Sequence, residues 1–450
     1  MSRMTFKGGT HPNDQKQFAR DNAFVHYLPK GEMVFPINQH IGKSANPIVK
    51  KGDAVLAGQV IAEADGFVSS NIISSCSGTV KEVELRQTAA GTMAMSIVID
   101  NDGKYNQVDG IGKETDYSKL SGSEIISKVK AAGIVGLGGA GFPTHVKLSP
   151  KNPAGIHHIL ANGAECEPFI TCDDRLMREY SDDIVKGMEI LLTLFPTAEG
   201  DIVIEKNKPE AIEAMKKACA ASPMSDKIKV YPVKTKYPQG GERSIISVVT
   251  GNHYKSTQLP ADAGCIVDNV STIRAIYRAV AFNEPLMEKG FTISGDCLKQ
   301  PTNFFTRIGV SYQELFDECG GCAEGKEAAK LISGGPMMGM AMANLEVPVQ
   351  KAHNALTVLG VDEVASVPTT ACLRCGRCNA ACPLGLIPQY MADAAVRKDL
   401  ARYENDLYGL ECIACGSCTY VCPAKRPLVQ YFKTAKAEIL LERKKQQEAK

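Results

Sequence analysis

The sequence has little that would place it inside a membrane or on nucleic acid. The 450-residue chain has no run of 18 apolar residues, about the length that a membrane-spanning helix needs. Its 51 lysine and arginine residues balance its 50 aspartate and glutamate residues, so no overall charge favours nucleic acid as a partner. The first residues, MSRMTFKGGTHPND, lack the basic and apolar regions of a secretory signal. We therefore expect a soluble, cytoplasmic protein that binds no nucleic acid.

Cysteine, by contrast, is abundant, and two short repeats hold half of it. CLRCGRCNAACP begins at Cys372 and CIACGSCTYVCP begins at Cys412, both with the spacing C-x2-C-x2-C-x3-C-P. Three thiolates at this spacing hold three corners of a [4Fe-4S] cluster, and the fourth cysteine of each run binds the other cluster. The spacing therefore predicts two clusters in a crossed arrangement, one held by Cys372, Cys375, Cys378 and Cys422 and the other by Cys412, Cys415, Cys418 and Cys382.

The alternatives for these cysteines are two zinc ribbons or a disulfide framework. A tetrahedral zinc site is usually built from two C-x2-C pairs on separate loops, which the tight doubled spacing does not match. The other eight cysteines show no framework spacing, so reducing surroundings fit better. Cys319 and Cys322 in CGGC imitate a redox motif but lack its strand-then-helix context, and we interpret them as ordinary loop cysteines.

The hydrophobic periodicity divides the chain into segments of different character. Short alternating runs between glycines predict strands, and strands that alternate with capped amphipathic helices predict a parallel α/β sheet. The predicted segments are a small β domain (1–120), an α/β domain (121–285), a second β-rich domain (286–345), a connector (346–366), a two-cluster domain (367–430) and a helical tail (431–450).

A glycine-rich loop, GIVGLGGAGFPTHVKL, follows the first predicted helix of the α/β domain. Gly136, Gly138 and Gly141 satisfy G-x-G-x-x-G, but a helix precedes them where the dinucleotide fingerprint requires a strand. A tight interdomain loop is therefore an alternative interpretation. Glycines at this density let backbone N–H groups approach an anion or a flat ring, and Lys147 would add a positive charge for a phosphate.

Two further loops begin at the carboxyl ends of predicted strands, where open α/β sheets bind ligands. ANGAECEP follows the strand at 157–161, and KYPQGGERS follows the strand at 228–233. Their glutamates, Glu165, Glu167 and Glu242, could accept hydrogen bonds from a ribose or from ring N–H groups, although a solvated glutamate is the commoner case. Three such loops at one edge suggest a ligand of nucleotide size.

These loops carry a resemblance to a known family. GLGGAGFPTHVK, NGAECEP, YPQGGE and DNVST resemble, in that order, the flavin and NADH loops of the flavin-binding subunit of respiratory NADH:quinone oxidoreductase. With the two cluster runs at the end, the chain to about residue 430 is similar to the C-subunit family of Rnf electron-transport complexes. The resemblance implies a multidomain α/β fold with an N-terminal hammerhead-like (barrel-sandwich-like) β domain, a Rossmann-like flavin and NADH domain, a soluble-ligand-binding β-grasp-like domain and a C-terminal two-cluster ferredoxin-like domain.

The resemblance also implies FMN and NAD(H) as ligands and assigns residues to them. Lys147 would lie at the FMN phosphate, and NADH would stack near Phe142. The cofactor-binding residues carried over from the family are Gly136, Gly138, Gly139, Gly141, Phe142, Lys147, Asn162, Glu165, Glu167, Gly240, Glu242, Asp268, Asn269 and Thr272. Two positions depart from the respiratory loops, since Leu137 replaces an arginine and Ala164 replaces an aspartate.

The function that follows from the resemblance is electron transfer between NADH and membrane partners. NADH gives up two electrons together as a hydride and a cluster accepts one at a time, and a flavin can do both, so no side chain need act as acid or base. The implied role is a peripheral subunit, at the cytoplasmic face of the membrane, of an ion-translocating NAD:ferredoxin oxidoreductase with membrane-spanning and ferredoxin-side partners. The alternatives are a soluble flavin and iron–sulfur reductase, such as a cobalamin reductase, and a flavin-free wiring subunit, which Leu137 and Ala164 would favour.

Overall fold

Four β-sheets organise residues 4–448, the part of the chain that the computed structural model describes. The strands are β1 (Phe24–Tyr27), β2 (Met33–Pro36), β3 (Asn46–Pro47), β4 (Ala54–Val55), β5 (Val60–Glu63), β6 (Ile72–Ile73), β7 (Gly78–Gln87), β8 (Met93–Asn101), β9 (His158–Gly163), β10 (Glu199–Glu205), β11 (Ile228–Val233), β12 (Cys265–Asn269), β13 (Glu288–Ser294), β14 (Thr302–Arg307), β15 (Lys330–Ser333), β16 (Met340–Met342) and β17 (Ala355–Leu359).

The helices pack on these sheets or form the C-terminal domain. They are α1 (Gly122–Ala131), α2 (Thr144–Lys147), α3 (Cys172–Glu179), α4 (Ser181–Leu194), α5 (Pro209–Ala221), α6 (Glu242–Thr250), α7 (Val270–Phe282), α8 (Tyr312–Glu318), α9 (Glu363–Ser366), α10 (Arg377–Ala381), α11 (Pro388–Val396), α12 (Leu400–Asn405), α13 (Ser417–Tyr420) and α14 (Leu428–Glu448). Among the described residues, no helix combines the length and the apolar character needed to cross a bilayer.

The α/β domain is a parallel sheet of four strands in the order β11-β10-β9-β12. Successive residues face opposite sides, so Ile159 packs with the helices on one face and Leu160 packs with α6 on the other. The strand order reverses between β9 and β12, because β10 lies on one side of β9 and β12 lies on the other. Open parallel sheets bind ligands at such a reversal, beyond the carboxyl ends of the strands.

Helix α1 leads from the first β region into the glycine loop, and its start was predictable. The side chain of Ser121 accepts a hydrogen bond from the backbone of Glu124, and the Glu124 carboxylate accepts one from the backbone of Ser121. This capping box satisfies two of the free N–H groups at the helix start. Helix α3 was not predicted, because Asp173, Asp174 and Arg175 are buried in it and hide any hydrophobic periodicity.

The two β regions share one hydrophobic core. The first contributes the sheets β2-β8-β7-β4 and β3-β5-β6, and the second is a six-stranded sheet in the order β1-β14-β13-β17-β15-β16. Phe35 and Ile61 from the first region pack in the same cluster as Phe291 and Phe304 from the second. The six-stranded sheet also draws β1 from the segment predicted as the first β domain and β17 from the segment predicted as a connector, because both strands are short and pair only with distant residues.

The C-terminal domain consists of short helices around the two cysteine motifs. Helices α10 and α13 each follow a glycine of positive φ, Gly376 at 72° and Gly416 at 84°. The predicted helical tail is α14, and it packs Phe432 and Ile439 into the core of this domain with Tyr403. The last two residues of the predicted tail, 449 and 450, lie outside the described residues.

Candidate functional site

Four loops meet at the point where the strand order of the parallel sheet reverses. The side-chain nitrogen of Asn162, at the end of β9, donates to the carbonyl of Gly240 at 2.9 Å. The side-chain nitrogen of Asn269, at the end of β12, lies 3.4 Å from the carbonyl of Asn162. A Cβ atom on Gly138 would lie 3.1 Å from the Cβ of Asn269. The structure therefore brings together the glycine-rich loop, the ANGAECEP loop (named the acidic loop), the YPQGGE loop and the DNVST loop. We name the site that they form the loop site.

Two hydrogen bonds fix the backbone of the glycine-rich loop and leave free space beside Gly139. The backbone N–H of Gly136 donates to the carbonyl of Phe142 at 2.8 Å, and the N–H of Leu137 donates to Oγ1 of Thr272 at 2.9 Å. Thr272 thus holds the loop backbone. Gly139 has a φ of 122°, and a Cβ atom placed on it would meet no atom within 4 Å. The turn at Gly139 is therefore free for a ligand to approach the backbone closely.

Residues outside the α/β domain fix both ends of this loop. At the start, the buried ammonium of Lys351 donates to the carbonyl of Gly133 at 2.8 Å and also contacts the carbonyl of Asn71. At the end, the carbonyl of Gly141 accepts from the backbone N–H of Ile41 at 3.0 Å. Burial lowers the pKa of Lys351 to about 7. Since the loop is bonded at both ends, its shape depends on the neighbouring domain.

Lys147, predicted at a phosphate, is already paired with Asp268. Its ammonium lies 3.1 Å from Oδ1 of Asp268 and donates to the carbonyl of Val267 at 2.7 Å. The Asp268 side chain is fully buried, and this burial raises the pKa of its carboxyl while Lys147 opposes the rise. The second oxygen, Oδ2, has no hydrogen-bond partner among the described residues. The pair ties the glycine loop to the end of β12.

Glu165 points into the protein. Its Oε1 accepts from the backbone N–H of Asp173 at 2.8 Å, and its Oε2 lies 3.7 Å from the ammonium of Lys16. Burial raises the pKa of Glu165 to about 8, against the opposing effect of Lys16. A second buried lysine, Lys208, donates to the Glu165 carbonyl at 3.1 Å and to the carboxylate of Glu205. Two buried lysines, Lys16 and Lys208, therefore contact the acidic loop from the protein interior.

Sequence reasoning missed these supporting residues. Lys16 lies some 150 positions before the loop it contacts, and its ammonium also donates to the carbonyls of Glu167 and Ile170. Asp173 accepts from the side-chain nitrogen of Asn269 at 2.7 Å and from the Ser271 hydroxyl at 3.0 Å. Single lysines and aspartates carry no local pattern, so nothing in the sequence distinguishes these from solvated ones.

Glu167 and Glu242 lie in different surroundings. Glu167 is enclosed by the loop after β15, where its Oε2 accepts from the backbone N–H of Met337 at 3.2 Å. Its Oε1 lies 3.2 Å from the hydroxyl of Tyr237. Burial raises the pKa of Glu167 to about 7. Glu242 begins α6 and accepts from the Tyr254 hydroxyl at 2.6 Å.

The eight motif cysteines surround two cavities. What we name the proximal cavity is lined by Cys382, Cys412, Cys415 and Cys418, together with apolar side chains such as Met391 and Phe432. What we name the distal cavity is lined by Cys372, Cys375, Cys378 and Cys422. Four thiols around an apolar cavity fit a [4Fe-4S] cluster, which takes four thiolate ligands. Each cavity combines three cysteines of one motif with the last cysteine of the other.

The proximal cavity lies beside the acidic loop. The Tyr237 hydroxyl donates to the carbonyl of Cys415 at 2.6 Å, and it is the same hydroxyl that contacts Glu167. An ion pair of 2.8 Å between Arg243 and Glu411 adds to this contact. The N-terminal segment also contacts the cluster domain, because the backbone N–H of Gly9 donates to the carbonyl of Ala381 at 2.8 Å. The buried side chain of Tyr237 therefore lies between the loop site and the proximal cavity.

Known domain families match four parts of the chain. They are the RnfC barrel sandwich hybrid domain over residues 4–104, the Nuo51 FMN-binding domain over residues 129–278, the SLBB domain over residues 291–341 and the 4Fe-4S dicluster domain over residues 348–426. The matches cover the four loops described above, most of the two β regions and the whole of both cysteine motifs.

Among solved structures, the NAD+-reducing [NiFe]-hydrogenase in its H2-reduced state resembles the chain with a TM-score of 0.50 and 19% identity. The likeness covers 71% of this chain and 63% of that chain, and at this identity it shows the fold alone.

Curated relatives match nearly the whole chain. It is 43% identical over 436 residues to the C subunit of the proton-translocating ferredoxin:NAD(+) oxidoreductase complex of Clostridium ljungdahlii, covering 96% of this chain and 94% of that protein. It is 39% identical over 442 residues to the C subunit of the Na(+)-translocating ferredoxin:NAD(+) oxidoreductase complex of Acetobacterium woodii, covering 98% of each. The chain therefore belongs to the C-subunit family of the ion-translocating ferredoxin:NAD(+) oxidoreductase (Rnf) complexes.

Proposed function

We propose that this chain exchanges electrons with NADH through a bound FMN and passes them singly, through two [4Fe-4S] clusters, to the other subunits of an Rnf complex. The observation that carries the proposal is the contact of Tyr237 with both Glu167 and Cys415, because it sets the loop site one side chain away from the proximal cavity. The full-length relatives named as Rnf subunits favour this function over that of a soluble cobalamin-type reductase.

The residues of the loop site fit a flavin nucleotide. Gly139 leaves open space beside the loop backbone, where a Cβ atom would meet no atom within 4 Å. Lys147 supplies a positive charge at the end of β12, where Asp268 holds it. FMN, when bound, supplies the chemistry that joins a two-electron donor to one-electron acceptors. In our proposal, Gly136, Gly138, Gly139, Gly141, Asn162, Asn269 and Thr272 shape the flavin site, and Phe142, Glu167, Gly240 and Glu242 face NADH.

The protein's own contribution is placement and charge. The Lys208 ammonium donates to the carbonyl of Glu165, and the Lys16 ammonium lies 3.7 Å from its carboxyl group. The backbone N–H of Asp173 also holds that carboxyl group in place. Tyr237, which is 1% exposed, excludes water from the space between Glu167 and Cys415. No side chain is required as a general acid or base in this scheme. We also assign the parallel sheet as Rossmann-like and the two β regions as hammerhead-like and β-grasp-like.

We propose that electrons pass the proximal cluster before the distal one. Cys415 is buried and its carbonyl contacts Tyr237 of the α/β domain, whereas Cys372 and Cys375 are exposed. An exposed ligand set suits an exit, since electron transfer needs a partner's centre to come close. The surface around the distal cavity adds exposed apolar side chains, Leu373 and Tyr390, to exposed Arg374. We assign this surface to a partner subunit, which would hold the chain at the cytoplasmic face of the membrane beside the spanning and ferredoxin-side subunits.

An anaerobic NADH titration of the cluster-reconstituted chain tests the proposal. Flavin absorption and iron–sulfur EPR signals are followed together. We expect NADH to bleach the flavin and reduced-cluster signals to grow with it. A chain that holds both clusters and a folded α/β domain but retains no flavin and does not respond to NADH would instead favour the flavin-free wiring subunit.

A further inference from the structure

Two cysteines outside the cluster motifs lie with their sulfur atoms close together. Sγ of Cys297 is 3.9 Å from Sγ of Cys322. Cys297 follows β13 and Cys322 follows α8, 25 positions later. The backbones are held together, because Leu298 and Cys322 form an antiparallel bridge and the N–H of Ala323 donates to the carbonyl of Cys297 at 2.8 Å. The contact is therefore built into paired backbone, and does not depend on side-chain orientation alone.

The C-x2-C spacing of CGGC would place Cys322 with Cys319 instead, two residues that the sequence indicates are ordinary loop cysteines. Cys319 and Cys322 are the cysteines that resemble a redox motif, and the motif follows helix α8, so it lacks the strand-then-helix context of a thioredoxin site. Cys319 is buried in the core that the two β regions share. Cys322 is partly exposed and its sulfur contacts Cys297, which is itself buried. The structure thus joins one accessible thiol to one protected thiol from a distant part of the chain.

We propose that Cys297 and Cys322 form an oxidant-sensitive dithiol that a low-molecular-weight disulfide converts to an intramolecular disulfide. The thiolate of Cys322 attacks the small disulfide, forms a mixed disulfide and releases one small thiol. The thiol of Cys297 then loses its proton and attacks Sγ of Cys322, which releases the second small thiol. The protein loses two electrons and two protons, and the small disulfide gains both.

The geometry requires only a small adjustment for this bond. A disulfide has an S–S distance of about 2.05 Å, so side-chain rotation must bring the two sulfurs closer than their present separation. The partly exposed Cys322 is the thiol that an oxidant reaches first, and the buried Cys297 is placed to resolve the mixed disulfide. This division between an accessible attacking thiol and a protected resolving thiol is typical of redox-sensitive pairs.

The disulfide would form next to the end of β17, from which the chain continues to the cluster domain. The thiol of Cys297 lies 3.6 Å from the carbonyl of Val358 in β17, and the neighbouring Asp296 accepts from the backbone N–H of Gly360 at 2.7 Å. Oxidation would therefore fix the turn after α8 to the strand edge from which the chain continues to the clusters. This inference does not depend on the proposed function.

Treatment of the full chain with glutathione disulfide, under argon to protect the clusters, tests the proposal. Free thiols are then blocked by alkylation and the digest is analysed by mass spectrometry. We expect Cys297 and Cys322 to lose their alkylation sites together and to appear as one linked peptide pair, and dithiothreitol should restore both sites. The unmodified chain is the main sample, so the result does not rest on a variant that fails to fold.

Three single variants identify the roles. Cys297→Ser should retain one glutathione on Cys322, because no thiol remains to displace it. Cys322→Ser should leave Cys297 unmodified, and the control Cys319→Ser should still form the link. The proposal is overturned if the unmodified chain shows no link, if it keeps a stable glutathione adduct at Cys322, or if Cys322 links to Cys319.

Discussion

The hydroxyl of Tyr237 donates a 2.6 Å hydrogen bond to the carbonyl oxygen of Cys415. Its ring is buried, and its backbone exchanges two hydrogen bonds with Thr10. Burial raises the pKa of Tyr237, so the hydroxyl keeps its proton at neutral pH. Because that single hydrogen points to Cys415, the 3.2 Å contact with Glu167 is a full hydrogen bond when Glu167 carries a proton and donates it. A chain of three groups thus joins the acidic loop to the proximal cavity.

Removal of the hydroxyl should weaken this junction. We expect Tyr237→Phe to lower the free energy of unfolding by about 1–3 kcal/mol, since it removes two buried hydrogen-bond contacts. We also expect a lower reduction potential for the proximal cluster, because a nearby O–H dipole that stabilises added negative charge is lost. Potentiometric EPR titration and thermal melting measure both effects.

Tyr312→Phe is the matched control. Tyr312 is also fully buried, and its hydroxyl contacts Ser333 and His353 at 2.9 and 3.0 Å, away from the cluster cavities. This variant should lose stability while both cluster potentials stay unchanged. Equal potential shifts in the two variants would show that Tyr237 has no special relation to the proximal cluster.

The crossed cysteine sets give a reciprocal prediction. We expect Cys422→Ala to remove the distal cluster and Cys382→Ala to remove the proximal one, because each cavity takes its fourth cysteine from the other motif. Iron content should fall from about eight to about four atoms per chain in both variants. NADH should still reduce the cluster that remains in Cys422→Ala, but it should reduce that in Cys382→Ala much more slowly.

The opposite pairing would reverse these results. If each motif held its own cluster, Cys422→Ala would injure the cluster of Cys412, Cys415 and Cys418, and NADH would no longer reduce the remaining centre quickly. EPR after a brief NADH pulse distinguishes the two outcomes, and a Cys219→Ala variant, which changes a buried cysteine on α5, controls for general effects of thiol loss.

The parts of the fold that have a local sequence pattern could be predicted. The buried apolar run in HHILANG and the capping box at Ser121 each predicted an element that the structure contains. The structure also groups the motif cysteines in the two crossed sets that their spacing predicted. Strand β17 was missed although Asn354 and Gly360 flank it, because it has only five residues and pairs with β13 and β15, which lie apart from it in sequence. Helix α3 was missed because its buried face is charged.

The candidate site shows the same division. Motif glycines and loop glutamates were predictable, whereas the groups that hold them were not. Lys16 reaches Glu165 from the N-terminal segment, and Tyr237 reaches Cys415 from another domain. Such contacts depend on how the domains pack, and a single lysine or tyrosine has no spacing that could reveal them. Glu167, for which a solvated position was the common expectation, is enclosed by the loop after β15.

Variants of Lys147 and Asp268 can distinguish a structural role of Lys147 from a role in binding a ligand. We expect Lys147→Met to destabilise the α/β domain by about 3–5 kcal/mol, because it leaves a fully buried carboxylate without its cation. The double variant Lys147→Met with Asp268→Asn should recover most of this stability, since the unpaired charge is gone. Thermal melting of the two variants measures the recovery.

FMN retention in the double variant then tests the assignment of Lys147 to the phosphate. If Lys147 binds the phosphate, the folded double variant should still lose FMN on gel filtration. The single variant Asp268→Asn, which keeps the lysine, is the control and should retain FMN. Full FMN retention by the double variant would show that Lys147 serves only to pair with Asp268.

The raised pKa of Glu167 predicts a pH-dependent stability. Burial moves its pKa from 4.5 to about 7 in the folded protein, so the unfolded chain releases this proton at a lower pH than the folded one. The contribution of Glu167 to stability is thus fully present below pH 4.5 and is lost as the pH rises to about 7. At 1.36 kcal/mol per pKa unit, the loss is about 3 kcal/mol.

Glu167→Gln cannot ionise and should escape this loss. We expect its melting temperature, relative to that of the unmodified chain, to be higher at pH 8 than at pH 5. Asp362→Asn is the control, because the ion pair with Lys330 lowers the pKa of Asp362, which is therefore ionised at both pH values. Its melting temperature relative to the unmodified chain should be the same at pH 5 and pH 8. A constant difference for Glu167→Gln as well would mean that Glu167 is ionised in the folded protein throughout this range, so that it has no hydrogen to donate to the Tyr237 hydroxyl.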